Sequence, residues 1–185
     1  VVLVVLGIKK FYLDPREQEA QRSIFRAEQY FENDDFTNAL NGDGNNAGFL
    51  DIINDYGCTK TSNLAKYYAG VCYLNLGNFD DAIKYLGQYK GKDLFVSTLA
   101  VGGMGDAYME LGNTAKAAEL YVKAARTAKN KVTSPMYLVR AGMAYEMSGD
   151  YKSAISVYKE VKADYPTSNE AFYIQKNISR AEHEF

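Results

Sequence analysis

Tryptophan is absent from this chain of 185 residues, histidine occurs once, cysteine twice and proline three times. His183, the single histidine, falls in the last three residues, so no Ser/His/Asp set can form around a buried site, and no Cys or His pair stands at metal-ligand spacing. A glycine-rich phosphate loop is also missing, and paired carboxylates such as Asp80-Asp81 fall at helix starts, where the helix dipole accounts for them. These absences argue against an enzyme and against a metal or cofactor. About 10 helical residues at ~1.5 Å each set Cys58 and Cys72 roughly 15 Å apart, beyond the ~7 Å that a disulfide spans, so two free thiols are expected, Cys72 as a small buried hydrophobe. No excess of one charge exists either: 21 basic and 23 acidic residues leave a formal charge of −2, and no Lys/Arg run exceeds Lys9-Lys10, so the electrostatic footprint of a nucleic-acid binder is lacking. The sixteen tyrosines sit at helical spacing and read as core rather than as a stacking platform. The one strongly apolar run, Val1 to Ile8, is too short for a ~30 Å hydrocarbon core, which needs ~20 residues. It begins without an initiator methionine and reads as the outer end of a transmembrane anchor, with residues 1–13 forming an apolar stub.

What the chain does have is a repeat. Gly70, Tyr73, Gly77 and Ala82 recur as Gly105, Tyr108, Gly112 and Ala117, then as Gly142, Tyr145, Gly149 and Ala154. Gly70, Gly105 and Gly142 allow two helices to cross closely, Gly77, Gly112 and Gly149 supply a turn, and the alanines fit under a neighbouring helix. Strings such as Leu76-Gly77-Asn78-Phe79-Asp80-Asp81-Ala82 and Ser148-Gly149-Asp150-Tyr151-Lys152-Ser153-Ala154 read as helix end, turn and new helix start. Tyr121 and Tyr158 fill an aromatic site on the second helix, and Pro166 closes the last unit. These residues resemble the tetratricopeptide repeat (TPR) family, with its unit of ~34 residues. The resemblance implies an all-α, right-handed superhelical solenoid of helix-turn-helix repeats, here of about nine helices, ending in a capping helix.

Punctuation divides the chain further. Asp14-Pro15-Arg16-Glu17 reads as a helix start with Asp14 as cap and Glu17 reaching back. Residues 14–61 form a degenerate first repeat, with Ala27, Tyr30 and Ala39 at the repeat positions and an insert over residues 41–48. Asn41, Asp43 and Asn45 alternate as a calcium loop would begin, but Asn46 stands in place of the turn glycine and Ile52 in place of the bidentate glutamate, so the insert reads as a solvated loop. Repeats follow over 62–92, 93–131 and 134–166, the last opened by Ser134 as cap and Pro135. Thr167-Ser168-Asn169-Glu170 reads as a capping box launching the final helix over 167–185, with Ile174, Ile178 and Ala181 on its buried face.

In such a stack the first helix of each pair lines the concave face. Helical geometry directs Ile24, Glu28, Phe31, Leu64, Tyr67, Val71, Leu74, Asp106, Met109, Met136, Val139 and Met143 toward it, a largely apolar set that suits a protein or peptide partner. Family members that grip carboxy-terminal chaperone tails present Lys, Asn and Arg there. Here the matching places hold Ile24, Tyr67, Gly102 and Val139, then Glu28, Val71, Asp106 and Met143, so that clamp is missing. The apolar stub, the Asp-Pro start, the insert and Asn63-Leu64-Ala65-Lys66-Tyr67-Tyr68-Ala69-Gly70 together resemble the YfgM-type membrane-anchored bacterial TPR proteins, in particular their Bacteroidetes relatives. That resemblance implies a TPR domain on the periplasmic side of the bacterial inner membrane, acting as an adaptor at the protein translocation channel or with periplasmic chaperones. The alternative is a self-assembling protein whose groove is filled by its own amino-terminal helix or by a dimer mate.

Overall fold

In the computed structural model, which describes Leu6 and residues 9–185, the chain divides into two compact units, Val1–Gly91 and Lys92–Phe185. Of the apolar stub expected over residues 1–13, residues 1–5, 7 and 8 lie outside the described residues. Among the described residues there is no strand, and no helix is long and apolar enough to cross a membrane.

In the first unit a π-helical turn, Lys9–Leu13, runs into α1 (Asp14–Glu32), followed by α2 (Phe36–Asn41), α3 (Phe49–Asp55), α4 (Lys60–Asn75) and α5 (Phe79–Gln88). The expected cap at Asp14 is not formed. Leu13 is already helical at φ −73° and ψ −42°, no side chain caps the helix, and Asp14 and Pro15 sit inside its first turn. Glu17 does not reach back either. It crosses to α4, where Lys60 N–H and Thr61 Oγ1 each donate to it at 2.7 Å. The turn after α1 matches the other repeats except that Asp34, at φ +58°, takes the left-handed conformation that glycine holds elsewhere.

The insert occupies residues 42–48 and splits the second half of the first repeat into α2 and α3, which brings the described helices to ten, one more than expected. Asp43 closes this loop on itself. It accepts from the backbone amides of Asn45 (2.8 Å) and Asn46 (2.7 Å), from the Asn46 side chain (2.8 Å) and from Tyr30 Oη (2.6 Å), so its lone pairs serve the loop. The unit's core gathers Ile24, Ala27, Leu40, Phe49, Ile52, Ala65, Ala69 and Cys72, all buried.

The second unit contains α6 (Leu94–Glu110), α7 (Thr114–Ala128), α8 (Thr133–Met147), α9 (Tyr151–Asp164) and α10 (Asn169–Glu184). α6 pairs with α7 and α8 with α9, while α10 packs on both α8 and α9 and buries Ile174, Ile178 and Ala181. Asp93, Asn113, Asp150 and Ser168 cap their helices with side-chain bonds to backbone amides. Ser134 does not cap α8. Its hydroxyl donates to the Ala125 carbonyl, and Asn130 Oδ1 instead receives the amides of Val132 and Thr133. Before α10 the cap is Ser168, accepting from Ala171 N–H, which puts Glu170 one position too early to close a capping box.

The crossing glycines behave as their spacing predicts. A Cβ on Gly70 would lie 2.5 Å from Leu86 Cγ, on Gly105 2.7 Å from Tyr121 Cε1 and on Gly142 2.2 Å from Tyr158 Cε1, in each case sixteen residues on, in the second helix of the same repeat. The turn glycines Gly77, Gly112 and Gly149 hold φ between +76° and +79°.

Candidate partner-binding surfaces

The residues expected on the first-helix face fall into two groups, one in each unit. In the first unit Ile24 is 4% exposed and packs into the core, with only an edge left at the surface. Phe31 is also drawn inward, meeting Phe36, Phe49 and Tyr68 edge-on with ring centroids 5.7, 6.1 and 5.0 Å apart. Leu64, Tyr67, Val71 and Leu74 run as one half-buried stripe along α4. Tyr67 is held between Tyr68 and Tyr89, at 5.6 and 6.0 Å. Glu28 lies beside the Tyr68 hydroxyl, and burial and the neighbouring Glu32 raise its carboxyl above the ordinary range. A cleft of about 400 Å³ opens where α1 meets the start of α4, lined by Glu17, Gln21, Ile24, Glu28, Lys60, Thr61 and Leu64. It brings together three of the expected residues, Ile24, Glu28 and Leu64.

In the second unit Met136, Val139, Met143 and Met147 form a stripe down α8. Its exposure grows along the helix: Met136 and Val139 are half-buried against the core, Met143 is 45% exposed and Met147 67%. Met109 on α6 is likewise packed against the core. Asp106 is not free to meet a partner, because Arg140 Nη1 and Tyr121 Oη both donate to its Oδ1 at 2.7 Å. The same arrangement recurs one repeat later, where Arg180 grips Glu146 with two bonds of 2.8 Å and Tyr158 Oη donates to it at 2.5 Å. Burial, then the acceptor carboxylate, hold both tyrosine hydroxyls far above their usual titration range.

Two tetratricopeptide-repeat family models match the chain, over residues 64–93 and 103–169, together about half its length. The chain is a tetratricopeptide repeat protein. No curated protein matches it. Tetratricopeptide repeats serve in general as scaffolds for protein–protein interaction. Among the described residues no group of three or more His, Cys, Asp or Glu side chains gathers as metal ligands would. Burial pushes the Cys72 thiol up to about 12, leaving it protonated and inert, while Cys58 is free and exposed.

The acid–tyrosine–arginine clusters are the feature of this TPR protein that composition and helical stripes alone do not reveal. A signal for them does exist. Asp106–Arg140, Glu146–Arg180 and the exposed pair Arg126–Glu160 are each separated by 34 residues, one repeat unit, so opposite charges one period apart mark contacts between successive helix pairs.

Proposed function

We propose that this TPR protein is a non-enzymatic, membrane-tethered adaptor that holds an apolar or helical segment of a protein partner against its first-helix faces. The observation that carries the reading is the α8 stripe ending in Met143 and Met147. Methionine side chains left in solvent at helical spacing offer a soft, adaptable apolar strip, and such strips mark interaction sites more often than they arise by default. The resemblance to YfgM-type proteins supports a periplasmic location at the inner membrane, near the translocation channel or its chaperones. A second reading, in which the chain's own amino-terminal segment or a dimer mate covers the strip, is favoured by the exposed apolar residues beside that segment, Leu6 at 55%, Phe11 at 79% and Tyr12 at 55%.

One pair of measurements separates the two. In membranes solubilised in detergent, the Met143→Glu/Met147→Glu variant should co-purify a partner far less than the parent does. Removing ~50 Å² of apolar contact at ~25 cal/mol per Å² costs on the order of 1 kcal/mol, and burying a new charge adds to it. Tyr67 is a poorer probe, because its ring is braced by Tyr68 and Tyr89 and its replacement disturbs the fold. Unchanged capture in the double variant rejects the strip as a binding site. A concentration-dependent dimer by sedimentation, abolished by deleting residues 1–10, establishes the second reading instead.

A further inference from the structure

On the side of α1 turned away from Ile24, Arg22 and Arg26 stand one turn apart and are both exposed. Among the described residues neither pairs with a carboxylate. Arg26 Nη1 donates to Gln29 Oε1 at 2.7 Å and its guanidinium lies 5.9 Å from the Tyr30 ring centre, while Arg22 has no partner. The two arginines border an open cleft of about 400 Å³ whose far wall is the insert loop, through Asn45, Asn46 and Ala47. Phe25, 61% exposed, lies on its rim.

The loop's own acid, Asp43, stays ionised, held far below the usual range by hydrogen bonds from Tyr30 and from three donors within the loop. It offsets one of the two arginine charges but does not line the cleft, and one positive charge is left in excess there. What faces the cleft is two positive forks, the Gln29, Asn45 and Asn46 amides and one aromatic face. The insert that sets the first repeat apart from the others thus walls a recess whose positive charge comes from α1, on a chain whose net charge is negative.

We propose that this recess is a second docking site, distinct from the first-helix faces, and that its occupant is an acidic peptide segment. Arginine forks match carboxylates bidentately. Four residues at ~1.5 Å put the two arginines ~6 Å apart along the helix axis, and carboxylates two residues apart on an extended chain are ~6.6 Å apart at ~3.3 Å per residue. An extended segment with acids at alternate positions fits that spacing.

The test uses the full chain and a fluorescein-labelled (Glu-Ala)4 peptide followed by fluorescence anisotropy. Binding to the parent is expected, weakening as sodium chloride is raised because exposed charge pairs are screened. The matched (Gln-Ala)4 peptide should not bind, and Arg22→Gln/Arg26→Gln should raise the Kd at least tenfold with its circular dichroism unchanged. Arg22→Lys/Arg26→Lys, which keeps the charge but loses the forks, should fall in between, and Met143→Glu should bind as the parent does. Equal affinity in the Arg→Gln variant, or no binding by the parent, overturns the proposal. So does sedimentation of the parent with phosphatidylglycerol vesicles, lost in the same variant, when the peptide is ignored, since that result assigns the recess to a membrane surface.

Discussion

At the scale of single residues, the glycines of the repeat do two separable jobs. Gly142 is an ordinary helical residue whose missing side chain admits the Tyr158 ring, and a Cβ there must displace a ring whose hydroxyl is tied to Glu146. Gly149 has open space around it but a φ of +79°. Gly142→Ala should therefore lower stability through overpacking by ~1–3 kcal/mol. Gly149→Ala should cost ~1–2 kcal/mol through backbone strain alone. Only the first should be partly rescued by Tyr158→Leu, which clears the space. Urea midpoints for the two singles and the two doubles check this, and equal rescue of both would refute the division. Glu146 supplies a second prediction. The Arg180 bonds outweigh burial and hold its carboxyl below the usual 4.5, so it stabilises the fold above that value, and the contribution is lost as pH falls through the lower, folded value. Glu146→Gln should cost about 1 kcal/mol at pH 7 and nearly nothing well below pH 4, since Arg180 is half-exposed and the pair is partly screened. A pH-independent penalty would mean that Glu146 acts through packing. Both glycine roles were legible from spacing, because steric demand repeats with the fold. The Glu146 cluster shows in the sequence only as opposite charges one 34-residue period apart, a signal that helical stripes do not carry.

At the scale of elements, the helices follow from periodicity, while their ends are decided by tertiary partners. Asp14, Ser134 and Thr167 each stand in a sequence context that favours capping, and none of them caps, because Leu13 continues a helical turn, Asn130 reaches the orphan amides of α8 first, and α10 begins one residue late. The same competition buries most of Ile24 and turns Phe31, half-buried, toward an aromatic cluster. α3, which follows the insert, brings Phe49 against Phe31 and Ile52 into the core cluster that holds Ile24, and its apolar stripe of Phe49, Ile52, Ile53 and Tyr56 marks a helix without telling which neighbour it covers. Glu17 is the clearest case. Its carboxylate satisfies the Lys60 amide at the α4 terminus, where the helix dipole favours an anion, and its pKa falls because bonds from Thr61, Lys60 and Gln21 outweigh its burial. Glu17→Ala should thus loosen the α1–α4 junction, costing about 1–2 kcal/mol and raising hydrogen exchange at Lys60 and Thr61 while leaving α8 to α10 unaffected. Exchange that is uniform along the chain would show that the bond is incidental.

At the scale of the whole molecule, the buried residues gather into two clusters. One buried cluster draws only on residues from Ile24 to Cys72, and the other only on residues from Ala117 to Ala181. The break at Gly91-Lys92-Asp93 was readable as punctuation between repeats. That it also separates two compact units was not, since every repeat junction carries similar turn residues. The partition has a testable consequence. The piece from Lys92 to Phe185 keeps Asp93 as the cap of α6, both crossing glycines with their tyrosines, both acid–tyrosine–arginine clusters, and α10 to close its end. It has more residues than the ~60 that suffice for many independently folding domains. Expressed alone, residues 92–185 should be helical and unfold in one cooperative transition, with a urea slope in keeping with the surface that a piece of this size exposes. Gly142→Ala should destabilise the fragment and the full chain by the same amount, because everything that the new Cβ meets lies within the fragment. A fragment without a cooperative transition, or a Gly142→Ala penalty that differs clearly between the two, would mean that the second unit draws its stability from the first.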